Sequence, residues 1–189
     1  MILSDKDIKK YIEEGKIKIT PKPNFKEQLG SCSLDLHLGN VFKVFKHTKY
    51  PYIDLKTKFP LENIMDIIKI KPPNALIIQP GGFILATTRE KIALPSDMAA
   101  RLDGRSSLGR LGIVIHITAA RFDPGFKGKA VIELGNLGTL PVALYPGMKI
   151  CALTFETLSS PCEVPYHKKD GVKYGKNKFP EASKINQEF

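Results

Sequence analysis

The chain has no tryptophan and only three cysteines among its 189 residues. Cys32, Cys151 and Cys162 are widely spaced, odd in number and form no CxxC pair, which argues against a disulfide framework and favours a reduced compartment. No stretch reaches the roughly 18 apolar residues of a membrane span. The N-terminus also lacks the apolar core of a signal peptide. We therefore expect a soluble, cytoplasmic protein with no membrane partner.

Several catalytic motifs are missing as well. The four histidines are far apart, and none lies in the H-x-E and P-C-x-x-C pattern of zinc deaminases or in an H-E-x-x-H pair. The Walker A loop and the G-x-S-x-G elbow are also absent from the sequence. These absences argue against zinc chemistry, a P-loop and a serine nucleophile.

The composition is that of an ordinary globular chain, with 42% hydrophobic and 25% charged residues. The length suits one domain over residues 1–189. The net charge of +10 favours anionic partners, which include nucleotides, nucleic acids and acidic membranes. The lysines form no long basic block, so the charge by itself does not indicate a nucleic-acid-binding arm.

A short helix is predicted at the N-terminus. Ser4 can cap it, Ile8, Tyr11 and Ile12 fall on one face, and Gly15 is a natural end. After Thr20 the pattern changes to β-strands, with frequent turn signals and no alternating helices. This organisation predicts a mainly β sandwich or barrel. The predicted strands are 33–38, 41–45, 75–78, 83–88, 92–94, 113–117, 129–134, 140–144 and 150–155.

Two stretches lack clear periodicity. Residues 59–70 are predicted to hold a short helical turn or an irregular insert. The last ~25 residues are rich in lysine, glycine and asparagine, and they are predicted to form a mobile tail. Such a tail is either a disordered end or a segment that closes over a site.

The segment 102–112 reads LDGRSSLGRLG and concentrates anion-binding chemistry. Arg105 and Arg110 can make forked bonds to phosphate oxygens. Ser106, Ser107 and backbone N–H groups made accessible by glycine can complete an anion cradle. The alternatives are a polyphosphate-binding loop and a charged turn between two strands.

Two carboxylates downstream are candidates for chemistry. Period-two geometry places Val131 and Glu133 on one face of a strand, opposite Ile132. A carboxylate on a buried face can act as a general acid or base, whereas a solvent-facing glutamate would be structural. Asp123 stands in an Asp-Pro-Gly turn, where aspartate is common for turn reasons alone.

Several separated motifs, in order, resemble the dCTP deaminases of the dUTPase-like superfamily. The central ones are DGRSSLGR at 103–110, TAARFDPG at 118–125 and VIE at 131–133. Further matching segments cover nearly the whole chain: MILSDKDI at 1–8, SLDLHLG at 33–39, LP to PG at 140–147 and SP to PY at 160–166.

The resemblance implies a distorted, jelly-roll-like β-barrel with a short N-terminal helix, assembled as a homotrimer with active sites between subunits. It implies zinc-independent deamination of dCTP to dUTP and ammonia, which supplies thymidylate synthesis. Mg²⁺ would enter with the triphosphate and no metal would bind the protein directly. A tail of about residues 165–189 would close over the site, and dTTP is a candidate inhibitor.

The resemblance also implies a role for each matching residue. Glu133 would be the acid and base that activates water. Ser106 and the carbonyl of Ala119 would hold that water, and Arg110 would tune Glu133 electrostatically. Asp123 would contact the deoxyribose hydroxyl. The other implied substrate contacts come from the triphosphate loop, the strand beside the base and the tail: Arg105, Ser107, Leu108, Gly109, Val131, Ile132, Tyr166, Lys173 and Asn177.

The resemblance leaves the products open. Monofunctional members usually read Thr-Ala-His-Arg before the aspartate, and bifunctional members read Thr-Ala-Gly and an aromatic residue. Here Arg121 agrees with the monofunctional pattern, while Ala120 matches neither; Asn177 stands where the family usually has glutamine. Monofunctional deamination is our main prediction. The alternatives are a bifunctional enzyme that releases dUMP and pyrophosphate, and a non-catalytic protein that binds nucleotides or nucleic acid.

Overall fold

The computed structural model describes residues 1–55, 61–174 and 179–187. Its helices are α1 (Asp5–Glu13), α2 (Phe25–Gln28) and α3 (Ser106–Gly109), and its 3₁₀ turns are Leu61–Ile64, Tyr166–Lys168 and Ile185–Gln187. Its strands are β1 (Lys18–Thr20), β2 (Leu34–Phe45), β3 (Met65–Lys69), β4 (Leu76–Ile78), β5 (Phe83–Ala93), β6 (Met98–Gly104), β7 (Ile113–Val114), β8 (Arg121–Phe122), β9 (Lys127–Asn136), β10 (Val142–Leu144) and β11 (Lys149–Thr157).

The predicted N-terminal helix is confirmed as α1. The Ser4 side chain accepts a hydrogen bond from the Asp7 N–H at 3.3 Å, which satisfies one of the free donors at the helix start. Ile8 is fully buried and Ile12 is 9% exposed, so the apolar face packs on the core as the spacing predicts. This helix anchors the start of the chain to the sheet.

Most strands belong to one nine-stranded antiparallel sheet, ordered β7-β9-β5-β2-β11-β6-β8, in which β1 also pairs with β5 and β3 with β2. The long strand β2 joins its two halves. Its first half pairs with β11, and its second half pairs with β5 and β3. The β2–β5 register shifts between Leu38 and Phe42, and such irregularities bend a strand and increase its twist. The sheet therefore curls into a half-barrel, with β4 and β10 forming a separate two-stranded sheet.

In two places, two strands that the sequence predicts separately form one continuous strand in the structure. The segments 33–38 and 41–45 form β2, and the segments 83–88 and 92–94 fall largely within β5. In β5 the interruption is an irregularity in the pairing with β9 between Thr87 and Lys91. A bulge of this kind breaks the two-residue alternation without ending the strand, so the sequence pattern looks like two strands.

Other boundaries were wrong or missing in the sequence prediction. Strand β6 is not predicted from the sequence, because Met98–Gly104 has no β-branched or aromatic residue, and its last three residues fall in the predicted loop. The insert at 59–70 contains a 3₁₀ turn and the strand β3, while residues 56–60 lie outside the described part. The strand predicted at 113–117 extends only over β7.

A buried polar cluster lies where β2 meets the irregular part of β5. Glu90 is 1% exposed, and its carboxylate accepts the backbone N–H of His37 at 2.9 Å. The other carboxylate oxygen lies 2.6 Å from His37 Nδ1 and accepts from Arg89 at 3.1 Å. These bonds satisfy a carboxylate that would otherwise be costly to bury.

Strand β9 separates the core from the opposite face of the sheet. Ala130, Ile132 and Leu134 are fully buried in the main hydrophobic cluster. The alternate residues Val131 and Glu133 are half-buried on the other face, which confirms the predicted two-residue alternation.

Among the helices in the described ranges, none is long and apolar enough to cross a membrane.

The contribution of core packing to the stability of the fold can be tested by comparing alanine substitutions at a buried and at an exposed isoleucine. Ile92 in β5 is 1% exposed, whereas Ile67 in β3 is 58% exposed. We expect Ile92→Ala to lower the free energy of unfolding by about 2–5 kcal/mol, because it leaves a cavity. Ile67→Ala should cost about 1 kcal/mol or less, from lost strand propensity. Urea unfolding measures both, and equal losses would contradict the assignment of Ile92 to the core.

Candidate active site

A cavity of about 500 Å³ opens on the face of β9 opposite the core. Its polar wall includes Glu133, Asp123 and Lys129, and Val131 lies between the strand residues. Ala119 and Tyr166 also line it, so the structure brings together five of the site residues predicted from the sequence. The volume suits a small-molecule ligand.

Glu133 is held in place from both its backbone and its side chain. Its backbone N–H donates to the Ile115 carbonyl at 2.9 Å, and its Oε2 accepts the Ile117 N–H at 3.1 Å. These bonds link β9 to the segment that follows β7. A charge-assisted bond from a backbone N–H orients the carboxylate beside the cavity, where it can exchange a proton with a bound ligand or water.

Asp123 belongs to a turn that is packed against the chain near Tyr166. The Asp123 carbonyl accepts the Phe126 N–H at 3.0 Å, and the Tyr166 N–H donates to the Pro124 carbonyl at 2.8 Å. Gly125 has φ +81°, and a Cβ there would lie only 2.6 Å from Pro165, so this close approach requires glycine. The turn therefore fixes Asp123 and Tyr166 relative to each other.

The Asp123 side chain has a weak partner that a ligand can replace. Its carboxylate lies 3.5 Å from the Lys169 ammonium, and both side chains are about half exposed. Exposed pairs of this kind contribute little to stability. Asp123 is thus available to accept a hydrogen bond from a ligand hydroxyl.

Lys129 is a cavity residue that the sequence analysis missed. It lies two residues before Val131 on the same face of β9, so the two-residue period could have identified it. Burial lowers the pKa of Lys129, the like positive charge of Lys91 lowers this pKa further, and the negative charge of Glu90 raises it. Lys91 is the direct cross-strand partner of Lys129.

The apolar wall was also missed, because it comes from segments distant in the sequence. Phe83 and Leu85 belong to β5, Phe45 ends β2, and Leu61 and Met65 lie in the insert before and within β3. Tertiary pairing alone brings them together. This wall gives the cavity a surface suited to the apolar faces of a ligand.

The predicted triphosphate loop lies outside this cavity within the single chain. Ser106, Ser107 and Gly109 are exposed on α3, Arg110 is exposed after it, and Leu108 is buried. The first residue of the loop, Arg105, is held by an ion pair with another part of the sheet.

The partner of Arg105 in this ion pair is Asp35 of β2. Its carboxylate forms an ion pair with the Arg105 guanidinium and lies 3.3 Å from the Lys149 ammonium. One carboxylate thus holds two cations, which fixes the start of the loop and leaves the hydroxyls of α3 facing outward.

Of three other residues that the sequence predicts to contact the substrate, two place no side chain in the described cavity lining, and the third is outside the part of the chain that the structure describes. Ile132 is fully buried on the core face, so only its backbone lies along the cavity strand. Lys173 is outside the cavity lining, and its carbonyl accepts a hydrogen bond from Lys184. Asn177 lies outside the described residues. Within the described ranges there is no group of three or more His, Cys, Asp or Glu residues that could hold a metal ion.

Comparison with solved structures defines the class of fold. The chain matches the crystal structure of a 2'-deoxycytidine 5'-triphosphate deaminase from Agrobacterium tumefaciens with a TM-score of 0.64 and 21% identity. The match covers 82% of this chain and 47% of that chain, so the protein spans about half the length of that structure. The predicted fold class, a mainly β fold, is confirmed.

Sequence comparison gives the family. A family model described as dCTP deaminase-like matches residues 2–158. A dCTP deaminase of Thermomicrobium roseum is 52% identical over 100% of this chain and 96% of its own length. Relatives named dCTP deaminase, dUMP-forming, from Dictyoglomus thermophilum and Methanosphaera stadtmanae are 52% and 50% identical, covering 97% and 95% of their lengths. The chain belongs to the dCTP deaminase family.

The environment of Lys129 predicts its reactivity. An ordinary exposed lysine has a pKa of about 10.4. Because burial and the charge of Lys91 lower the pKa of Lys129, its side chain should become a free amine at a lower pH than such a lysine. Amine acylation over a pH series, followed by peptide mass spectrometry, measures the midpoint. Lys9, exposed on α1, is the reference. A Lys129 midpoint at or above that of Lys9 would contradict the burial of this side chain.

Proposed function

We propose that this protein deaminates dCTP hydrolytically, with water and dCTP giving dUTP and ammonia. Family membership supports the reaction class, and full-length relatives at about half identity carry the name dCTP deaminase. The observation that carries the proposal is the Glu133 carboxylate, held by the Ile117 N–H on the wall of a ligand-sized cavity. Such a carboxylate can take a proton from water and return it to the ring and the leaving amine.

The other roles follow the same scheme. In this proposal the Ala119 carbonyl and the Ser106 hydroxyl hold the attacking water, and Arg110 stabilises the ionised Glu133. Positioning the water and the C4 atom together contributes rate by removing the need for a bimolecular encounter. Ala119 lines the cavity, which supports its share of this role.

The substrate contacts are proposed on the same basis. Asp123 accepts a hydrogen bond from the deoxyribose hydroxyl, and Tyr166, fixed to its turn, packs beside the sugar. The backbones of Val131 and Ile132 border the base, since their strand forms the cavity wall. Lys173 and Asn177 complete the closing tail.

The triphosphate loop requires a second subunit in this proposal. Residues 105–110 do not line the cavity of their own chain, yet they expose hydroxyls and a guanidinium suited to phosphate oxygens. In the proposed homotrimer, the loop of one subunit faces the cavity of its neighbour, so Arg105, Ser107, Leu108 and Gly109 bind the triphosphate there.

The loop chemistry also fits Mg²⁺ carried by the nucleotide. The loop offers hydrogen-bond donors, which bind phosphate oxygens. Mg²⁺ takes oxygen ligands and is commonly held through the phosphates of a substrate, so the ion would bind to the nucleotide. When bound, the ion would neutralise part of the triphosphate charge. A cytoplasmic location, dTTP inhibition, and the lack of zinc, nucleic-acid and membrane partners stay predictions.

Release of dUMP is a second candidate function. Relatives at 52% and 50% identity are named dUMP-forming, and Asp123 lines the same cavity as Glu133. In this alternative Asp123 positions a second water that attacks the triphosphate, giving dUMP and pyrophosphate from dUTP.

The reaction is tested by incubating the protein with dCTP and Mg²⁺ and resolving ammonia, dUTP, dUMP and pyrophosphate. We expect ammonia from the wild-type chain, and Glu133→Gln should lower kcat by about 10²–10⁴-fold, because it removes the general base. Nucleotide binding should persist. Glu163→Gln, at an exposed position, is the matched control. Substantial deamination by Glu133→Gln would refute its role, and the presence of dUMP decides between the two product sets.

Subunit sharing predicts complementation between two inactive variants. Arg110→Ala and Glu133→Gln should each be nearly inactive alone. Co-expressed in equal amounts, they should regain about a quarter of wild-type activity, because random mixing in a closed ring pairs intact loops with intact cavities at that frequency. Kinetics of the purified mixture and its solution mass provide the test. A mixture no more active than its components would show that both residues serve the same chain's site.

A further inference from the structure

A side chain of the C-terminal segment is hydrogen-bonded to the turn that carries Asp123. His167, in the 3₁₀ turn Tyr166–Lys168, has its Nδ1 atom 2.9 Å from the carbonyl oxygen of Gly125. Because a carbonyl oxygen can only accept, Nδ1 carries the proton and donates it. His167 is an exposed residue, whereas Gly125 is buried, and a buried carbonyl needs a hydrogen-bond partner. Among the described residues, the His167 ring is that partner.

This hydrogen bond is one of two that join the same pair of segments. The Tyr166 N–H donates to the Pro124 carbonyl at 2.8 Å, and the next residue on each side supplies the bond from His167 to Gly125. A single bond would let one segment pivot on the other, whereas two adjacent bonds fix their relative orientation. The fit is close, because a Cβ at Gly125 would lie 2.9 Å from His167 Nδ1.

Each of the two segments carries a group of the proposed sugar site. Asp123 and Tyr166 line the cavity, and His167 does not. The Tyr166 ring centre lies 6.0 Å from that of Phe126, within the range of aromatic contacts. The ion pair of Lys169 with Asp123, at 3.5 Å between half-exposed groups, contributes little. The imidazole of His167 therefore orients cavity residues without contacting a ligand itself.

We propose that His167 is a positioning residue of this site. Its ring N–H fixes the Tyr166 turn against the Asp123 turn, and it thereby sets the spacing of the two groups that hold the deoxyribose. The inference rests on the proposed dCTP deamination, in which Asp123 binds the sugar hydroxyl and Tyr166 packs beside the sugar. Because the segment is ordered before the nucleotide arrives, binding does not have to supply the free energy of ordering it.

Three replacements of His167 test this role by steady-state kinetics with dCTP and Mg²⁺. Asparagine carries its donor nitrogen on Cγ, as histidine carries Nδ1, whereas glutamine carries it one bond further away and alanine has none. A net hydrogen bond changes an equilibrium constant about three- to tenfold. His167→Ala and His167→Gln should raise KM by about that factor and change kcat less than about twofold, since substrate binding is lost and Glu133 is untouched. His167→Asn should stay within about twofold of the wild type in both constants.

A second readout needs no nucleotide. Trypsin cleavage after Lys168 and Lys169, followed by peptide mass spectrometry under native conditions, reports how often this turn opens. His167→Ala and His167→Gln should be cleaved there about three- to tenfold faster than the wild type, and His167→Asn at nearly the wild-type rate. His47→Ala, at an exposed position after β2, is the matched control and should change neither readout.

The outcomes separate the inference from the proposed function. Unchanged cleavage in His167→Ala, or faster cleavage with an unchanged KM, would overturn the positioning role. Equal effects of His167→Ala and His167→Asn would also overturn it, because the N–H would then not be the group that acts. If the wild-type chain releases no ammonia from dCTP, the proposed function fails, while the cleavage rates still decide whether His167 fixes the turn.

Discussion

The site depends on the two-sided burial of strand β9. Its alternate residues Ala130, Ile132 and Leu134 are locked in the core, so the strand cannot shift its register without burying Val131 and Glu133 instead. Core packing thereby sets the position of a side chain that faces the opposite side of the sheet. Glu133, the proposed general base, is therefore held in position by hydrophobic contacts that its side chain does not itself make.

The rest of the cavity is attached to this strand through backbone hydrogen bonds. Ile115 and Ile117 bind β9 and Glu133 along one edge, while the turn at Asp123 is joined to Tyr166 by a main-chain bond. Ala182 closes another side through packing against the insert. The polar groups therefore come from several loops, but each loop is fixed to the sheet and not left free in solvent.

The separation of the proposed phosphate-binding loop, residues 105–110, from the cavity has a physical basis in this chain. Asp35 of β2 pairs with Arg105 and Lys149, and Leu108 is buried, so α3 is fastened to the side of the sheet near β11. The exposed hydroxyls and Arg110 then point away from their own core. A site that needs both phosphate and base contacts is consistent with assembly from neighbouring copies.

The sequence by itself determined the local features: the α1 cap, the alternation that sets Glu133 opposite Ile132, and the donor-rich loop beginning at Arg105. These depend on residue type and short-range periodicity, which are fixed before the chain folds. Only the tertiary structure decided that Leu85 lies opposite Glu133 and that His167 meets the carbonyl of Gly125. Those neighbours depend on strand register, bulges and packing between distant segments, which no local pattern encodes.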